Sequence, residues 1–364
     1  STYNFNYKSN PISLGTTIAF LDNAGKYTRF WEMARVLREG EPDVVDQSKI
    51  VSKLFDKDLD KISNSRENGV VFFSKKDTST LYGFRYFSAS DKRIQQAWFT
   101  WEFPGKIQHH AVLDDSLFLV LRNNSKDVLQ KVSIKMDTDS ATVTDDLDTT
   151  DTSDDITYRI HLDNWSTVSI AANTYNSSTN KTTFPKPATG YEASSNQLAL
   201  YDNSAGSGNA DPIGKYVTAT INGSNLEVTG DWSNNSAVLG YLFDMEVEFP
   251  KIYQTQQSGE TSKSTIQGSL IIHRVKLNFG ANGLFSTTLD RIGKPSYTET
   301  YEPVISDSTA ANQIAINPDN IETIPIYEKN TNMTLTLKST HPSPATLYSM
   351  SWEGDYTNQF YRSV

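Results

Sequence analysis

Val70-Val-Phe-Phe-Ser74, Leu81-Tyr-Gly-Phe-Arg-Tyr-Phe87, Gln96-Ala-Trp-Phe-Thr-Trp-Glu-Phe103, Gln108-His-His-Ala-Val112 and Leu117-Phe-Leu-Val-Leu-Arg122 follow one another in one stretch of the chain. They are rich in the β-branched and aromatic residues that suit a pleated, half-buried surface. Polar breaks such as Asp114-Asp115 separate them. Strands that recur roughly every ten residues between polar turns predict a sandwich, a barrel or a propeller. A propeller blade is four antiparallel strands, so this stretch supplies one blade and the start of the next. Trp98 and Trp101 lie three apart on one strand and are expected on opposite faces. One should enter a propeller core and the other should lie near a contact between blades.

Working outward, Thr17-Ile-Ala-Phe-Leu21 and Tyr27-Thr-Arg-Phe-Trp-Glu-Met33 flank the polar turn Asp22-Asn-Ala-Gly25 and read as a hairpin. Between hairpin and strands, residues 44–62 are the best helix candidate. Val45, Ile50, Val51, Leu54, Phe55, Leu59 and Ile62 approximate a helical stripe. The helix should be short, because Asp56, Asp58 and Asp60 are modest helix formers.

Residues 137–155 change character: eight aspartates lie among Ser and Thr with no Lys or Arg. The expectation is a solvated acidic loop. As a calcium loop it would offer Asp137, Asp139, Asp145 and Asp148 at positions 1, 3, 9 and 12. It departs from that pattern, with Thr142 where a glycine is wanted and an Asp in place of the final Glu. Beyond it, 156–237 is rich in strands and loops and 238–364 is a last β-rich region. Within that region the polar segment 290–322 reads as a long excursion. The chain closes on Ser351-Trp-Glu-Gly-Asp-Tyr356 and Phe360-Tyr361. Aromatics at a terminus are costly to leave in water. Trp352, Tyr356 and Phe360 are therefore expected to dock as a strand and hook, or to form an interface.

At 364 residues, a prior of about 150 residues per domain gives two or three domains. The divisions expected are 1–136, 137–155, 156–237 and 238–364. The fold class is all-β: irregular propeller blades, an additional sandwich-like C-terminal region and one short helix. No apolar run reaches the length of a membrane span. With no cysteine, disulfides, thiolate nucleophiles and Cys-ligated zinc are excluded. A net charge of −10 makes the chain a poor sequence-general DNA binder, since such binding rests on Lys and Arg neutralising phosphates. The start at Ser1 rather than at Met suggests a fragment or a processed product.

Catalytic signatures are missing. The nucleotide-binding glycine patterns and the H-E-x-x-H zinc motif are absent. His109 and His110 are adjacent, so a strand points them to opposite faces. Two carboxyls across a sugar could hydrolyse a glycan, with Glu102 and Asp114 or Asp115, or Glu353 and Asp355, in those roles. In so acidic a chain some such pair is expected by chance. The several N-x-[ST] triplets are likewise expected by chance and are not read as glycosylation sites. No enzyme, cofactor or metal site is expected.

The segment Arg93-Ile-Gln-Gln-Ala-Trp-Phe-Thr-Trp101, followed by Asp115-Ser-Leu-Phe-Leu-Val-Leu-Arg122, resembles successive strands of tail nozzle proteins (tail tubular protein B) of short-tailed bacteriophages. Leu14-Gly-Thr-Thr-Ile-Ala-Phe20 and Arg29-Phe-Trp-Glu32 resemble the preceding blade. Ile160-His-Leu-Asp163, Val238-Leu-Gly-Tyr-Leu-Phe243, Ile266-Gln-Gly-Ser-Leu-Ile-Ile-His-Arg-Val-Lys-Leu277 and the closing Trp352-Glu-Gly-Asp-Tyr356 follow in the family's order. No single motif is specific; the ordered set is. Family members are longer than this chain, whose first blades are expected to be missing.

The resemblance implies a structural subunit of the virion tail. It implies a homo-hexameric ring built on an irregular β-propeller, below a ring of the tail adaptor (tail tubular protein A) and near the tail fibres. Viral DNA would pass through the channel without specific binding, and the host cell envelope is a possible further partner. Two alternatives remain open: a receptor- or carbohydrate-binding tail module, and a glycan-degrading enzyme.

Overall fold

The computed structural model describes residues 6–34, 43–89, 92–135, 141–145, 156–187, 198–202, 216–258, 261–264, 268–303 and 316–357. Its contacts divide it into two compact units, Ser1–Asp139 with Ala188–Ser195, and Ser140–Pro187 with Asn196–Val364. Both are built of antiparallel strands. The helical segments among the described residues are two three-residue 3-10 turns, Lys49–Val51 and Asn330–Asn332. The all-β expectation holds.

In the first unit, β1 (Ile12–Ser13), β2 (Thr17–Asp22), β3 (Arg29–Ala34) and β4 (Asp43–Asp46) form a four-stranded meander. A six-stranded meander follows: β5 (Lys61–Ser65), β6 (Val70–Ser74), β7 (Thr78–Ala89), β8 (Lys92–Leu113), β9 (Ser116–Asn123) and β10 (Lys126–Ser133). β6 is buried along its whole length, which requires apolar cover on both faces. Val71 and Phe73 with Tyr82 and Phe84 of β7 face Ala19, Leu21 and Phe30 of the four-stranded sheet, and Phe55, Leu59 and Ile62 fill the same core. On the opposite face Phe72 meets Phe99 and Trp101. Each such buried side chain contributes about 1.5–3 kcal/mol of transfer free energy.

The helix expected over 44–62 is not formed. Val44 and Val45 belong to β4, in register with Met33 and Glu32. Asp46 then accepts hydrogen bonds from the Ser48 amide and hydroxyl, which turns the chain. Only Lys49–Val51 is helical, and Asp58 sits at φ +65°. The apolar stripe is real but its purpose differs. Phe55, Leu59 and Ile62 are buried, whereas Ile50 is 74% exposed. Local side-chain-to-backbone bonding by Asp and Ser competes with the helix and wins here.

The second unit opens with the two-stranded pair β11 (Ala141–Asp145) and β12 (Ile156–Ile160). Part of the expected acidic loop is therefore a strand: Thr142, Val143 and Asp145 lie in β-register with Arg159, Tyr158 and Ile156. Asp137, Asp139 and Asp148 lie outside the described residues. A seven-stranded sheet follows from β13 (Asp163–Ser169), β14 (Tyr175–Asn176), β15 (Lys181–Pro185), β16 (Leu198–Asp202), β17 (Tyr216–Asn222), β18 (Asn225–Thr229) and β19 (Ser236–Tyr241), ordered β13-β19-β16-β17-β18-β15-β14.

The remaining strands are β20 (Met245–Glu248), β21 (Thr255–Ser258), β22 (Thr261–Ser264), β23 (Ser269–Asn282), β24 (Phe285–Arg291), β25 (Lys294–Tyr301), β26 (Asn320–Lys329), β27 (Met333–Ser339) and β28 (Ala345–Thr357). They form the sheets β20-β27-β24-β25 and β26-β23-β28 and the hairpin β21-β22. The first two sheets enclose an apolar core that includes Ile272, Val275, Leu277, Phe279, Leu335 and Leu337. The excursion expected over 290–322 contains β25, a strand paired to β24 through the turn at Gly293 and exposed along nearly its whole length. Lacking a buried face, it has no alternating apolar signature, which is why its sequence reads as loop.

Candidate functional site

Two constellations gather the residues that the sequence singles out. The first lies in the first unit, where the β7–β8 hairpin covers the four-stranded sheet. Trp98 packs edge-on against Phe30 and Phe55, at 6.1 and 5.3 Å between ring centroids, and tilts over Phe84 at 4.5 Å. Trp101 lies on the other face of the strand, 5.6 Å from Phe72 and 5.2 Å from Phe99.

Arg93, at the start of the same strand, folds over the rings of Phe84 and Tyr86, with its guanidinium carbon 5.5 and 4.8 Å from their centroids. Its two terminal nitrogens donate to Glu32, at 2.6 and 2.9 Å. Thr17 and Gln47 also donate to that carboxylate, at 2.6 and 2.8 Å. Burial alone would raise the Glu32 carboxyl; the donors, Arg93 first among them, outweigh it and hold the group below its ordinary value. A charge this deep is tolerated only when paired and hydrogen-bonded. The pair forms one wall of a cleft of about 620 Å³ that Arg66, Asn68 and Tyr86 also line. Sequence reasoning missed it. The available signal was one acid and one arginine set among aromatics in two of the stretches quoted above, Arg29-Phe-Trp-Glu32 and Arg93–Trp101.

His110, on the far half of β8, is buried; that burial and the charge of Lys61 push it down to about 3. Ser63 Oγ lies 2.7 Å from its Nδ1. His109 points elsewhere and is exposed.

The second constellation is the closing motif. β28 pairs with the central strand β23 through Tyr356↔Leu270, Asp355↔Ile271, Gly354↔Ile272, Glu353↔Arg274 and Trp352↔Val275. Trp352 and Tyr356 pack against the apolar core from its margin. The Tyr356 ring also lies over Gly268. Glu353 accepts from Arg274 at 2.6 Å and from Lys276 at 2.8 Å. Gly354 is required by a close approach: a Cβ there would stand 2.2 Å from the Ile271 carbonyl oxygen. That approach accompanies a β-bulge at His273. The bulge turns the imidazole outward, stacked on Tyr327 at 5.7 Å and 3.2 Å from an Asp355 oxygen. Tyr327 itself is at φ +47°, an uncommon setting for a bulky residue that marks local strain. Phe360 lies outside the described residues.

Two of the carboxylates considered for glycan hydrolysis are engaged. Glu102 accepts from Ser79 and Thr80 at 3.1 and 2.6 Å, and Glu353 from the two cations named above. Among the described residues no group of three or more His, Asp or Glu side chains could hold a metal ion.

Comparison with known proteins adds the following. Two solved structures similar to this chain are of an exo-β-1,3-galactanase from Phanerochaete chrysosporium. The form with galactose is 10% identical over 94% of each chain with a TM-score of 0.23. A variant with β-1,3-galactotriose is 12% identical over 96% of each chain with a TM-score of 0.24. Likeness at that level carries no argument about fold or activity. No curated protein matches the chain. The sequence profile of the bacteriophage nozzle proteins matches residues 1–363. This chain, with its ordered strands and its closing Trp-Glu-Gly-Asp-Tyr motif, belongs to the bacteriophage nozzle protein family.

Proposed function

We propose that this protein is one subunit of a homo-hexameric ring that forms the distal channel of the tail and gates the exit of DNA. Family membership makes it a structural component of the phage virion tail; the ring, its adaptor and fibre partners and the gating belong to our reading. The observation that carries the reading is the profile match across residues 1–363. The four-stranded meander β1–β4 has the strand count of a propeller blade, and we take the larger sheets as irregular relatives of that blade.

A structural rather than catalytic role is also part of the proposal. Its support is that Glu102 and Glu353 act as acceptors within the fold. DNA would pass without being held, kept from the wall by like-charge repulsion over a Debye length of about 8 Å. Imaging of the purified protein or of intact particles tests the ring. A six-fold ring at the distal end of the tail is expected; a trimer at a fibre tip would overturn the reading in favour of a receptor-binding module. Release of reducing ends from purified envelope glycans would overturn the non-catalytic part alone.

A further inference from the structure

A second cleft in the first unit, of about 690 Å³, lies between the β2–β3 turn, the end of β4 and the 3-10 turn that follows it. Its volume is within the range of small-molecule sites. Among the described residues three cations line it: Lys26 from the turn, Arg29 from β3 and Lys49 from the 3-10 turn. All three are exposed. None of the ion pairs among the described residues involves any of them.

What distinguishes the grouping is that three cations meet in one cleft. The chain carries ten more acids than bases, and Arg93, Arg122, Arg274, Lys181, Lys276, Lys294 and Lys338 each have a carboxylate partner. Among the described residues Asp46 is the one acid lining this cleft, and it accepts two hydrogen bonds from Ser48. Tyr27 and Trp31 supply aromatic surface beside the cations, and the Lys26 ammonium stands 5.4 Å from the Tyr27 ring centroid.

We propose that this cleft binds a phosphomonoester carried on a ring, such as a sugar phosphate or a nucleotide. A guanidinium fork and two ammonium groups match the oxygens of a doubly charged phosphate. The indole and phenol give a ring somewhere to lie. Duplex DNA is the wrong shape for a concave site, and three cations are too few to hold it near physiological salt, where affinity depends on the number of phosphates neutralised. The inference does not depend on the ring proposed above, because the described residues that line the cleft all belong to one unit of one chain.

Isothermal titration of the purified full chain with glucose 6-phosphate, AMP, inorganic phosphate, glucose and a short DNA duplex tests it. Glucose 6-phosphate or AMP should bind at least tenfold more tightly than inorganic phosphate, and glucose should give no heat. The tighter of the two phosphomonoesters identifies the ring as sugar or nucleotide. The double variant Arg29→Gln/Lys49→Gln should lose at least tenfold in affinity. Both side chains are exposed, so its thermal midpoint should stay unchanged, and Lys131→Gln on β10 should bind as the parent does. Four results would each overturn the proposal: no saturable binding of either phosphomonoester at millimolar concentration and low salt; inorganic phosphate bound as tightly as both; undiminished binding by the double variant; or binding of the duplex alone.

Discussion

The two sheets that carry the quoted motifs solve the same problem in opposite ways. In the first unit the β7–β8 hairpin closes over an aromatic core of Phe30, Phe55, Phe73, Phe84 and Trp98, with a charged pair sunk beside it. In the second, β26-β23-β28 closes over a core dominated by aliphatic side chains such as Ile272, Val275, Leu277 and Ile324, around the stacked pair of Phe279 and Phe285, and its charged pairs lie on the exposed face. Rings leave angular gaps that demand particular orientations, and a buried ion pair fixes register by penalising every alternative that leaves a charge unpaired. Aliphatic side chains fill space with less directionality. Register in the second sheet is set by bulges and by a glycine that admits only one approach of the neighbouring strand.

This contrast can be broken in a graded way. Trp98→Ala should cost roughly 3–5 kcal/mol, because it removes a ring packed on four others. Urea unfolding followed by near-UV circular dichroism would show it, and a loss below about 1 kcal/mol would deny the indole its place in that core. Glu32→Ala leaves the half-buried Arg93 without its partner and should cost roughly 1–3 kcal/mol, with less loss of ring signal. Arg93→Ala in the Glu32→Ala background should cost far less than alone; additive losses would mean that the pair does not act as a unit.

In the second sheet, Gly354→Ala should destabilise by about 1–3 kcal/mol through overpacking against the Ile271 carbonyl. An unchanged melting temperature would show that β23 can shift away.

Both units contribute to the pH dependence: burial pushes His341 of the second unit down to about 4, and His110 of the first lower still. His110 is held neutral in the fold down to about 3, so between pH 6.5 and 3 the unfolded chain binds a proton that the folded chain refuses. Stability then falls as pH drops through that window, by roughly 2 kcal/mol at pH 5. His110→Gln should flatten this slope between pH 7 and 5. Glu32 has the depressed carboxylate pattern: its stabilisation is complete above its unfolded value and is lost at lower pH, as the folded carboxyl becomes protonated. The smallest effect is expected for Glu353→Gln, whose partners are well exposed and whose pair is screened by salt. A melting temperature that changed as much as in Gly354→Ala would place the register of this sheet in its surface charges instead.

Much of this was legible from residue pattern. Residues 70–74, 81–87 and 117–122 fall within β6, β7 and β9 because each presents at least one apolar face with a period of two. The stretches 96–103 and 108–112 read as two strands, since Pro104-Gly105 looks like a turn. They are one strand, β8, of 22 residues. Pro104 falls where pairing to β7 skips from Glu102 to Ile107, so its missing N–H costs no ladder bond. Gly105 lets the strand come close to the Arg122 carbonyl oxygen of β9, 3.2 Å from where a Cβ would stand.

Of the two constellations, the closing motif was visible as a cluster of aromatics, but the need for Gly354 was not. That need arises from a bulge about eighty positions away in the chain. The Glu32–Arg93 pair, whose members stand 61 positions apart, was hidden for the same reason: non-local pairing leaves no periodic trace in the sequence.

β8 has one more consequence. Its first half is bonded to β7 and its second half to β9, and 22 residues give a contour of roughly 70 Å at about 3.4 Å each. A pull along this strand is not taken by hydrogen bonds that open one after another from an end. It is spread in shear over two ladders at once, so the strand works as a tensile tie running through the whole meander.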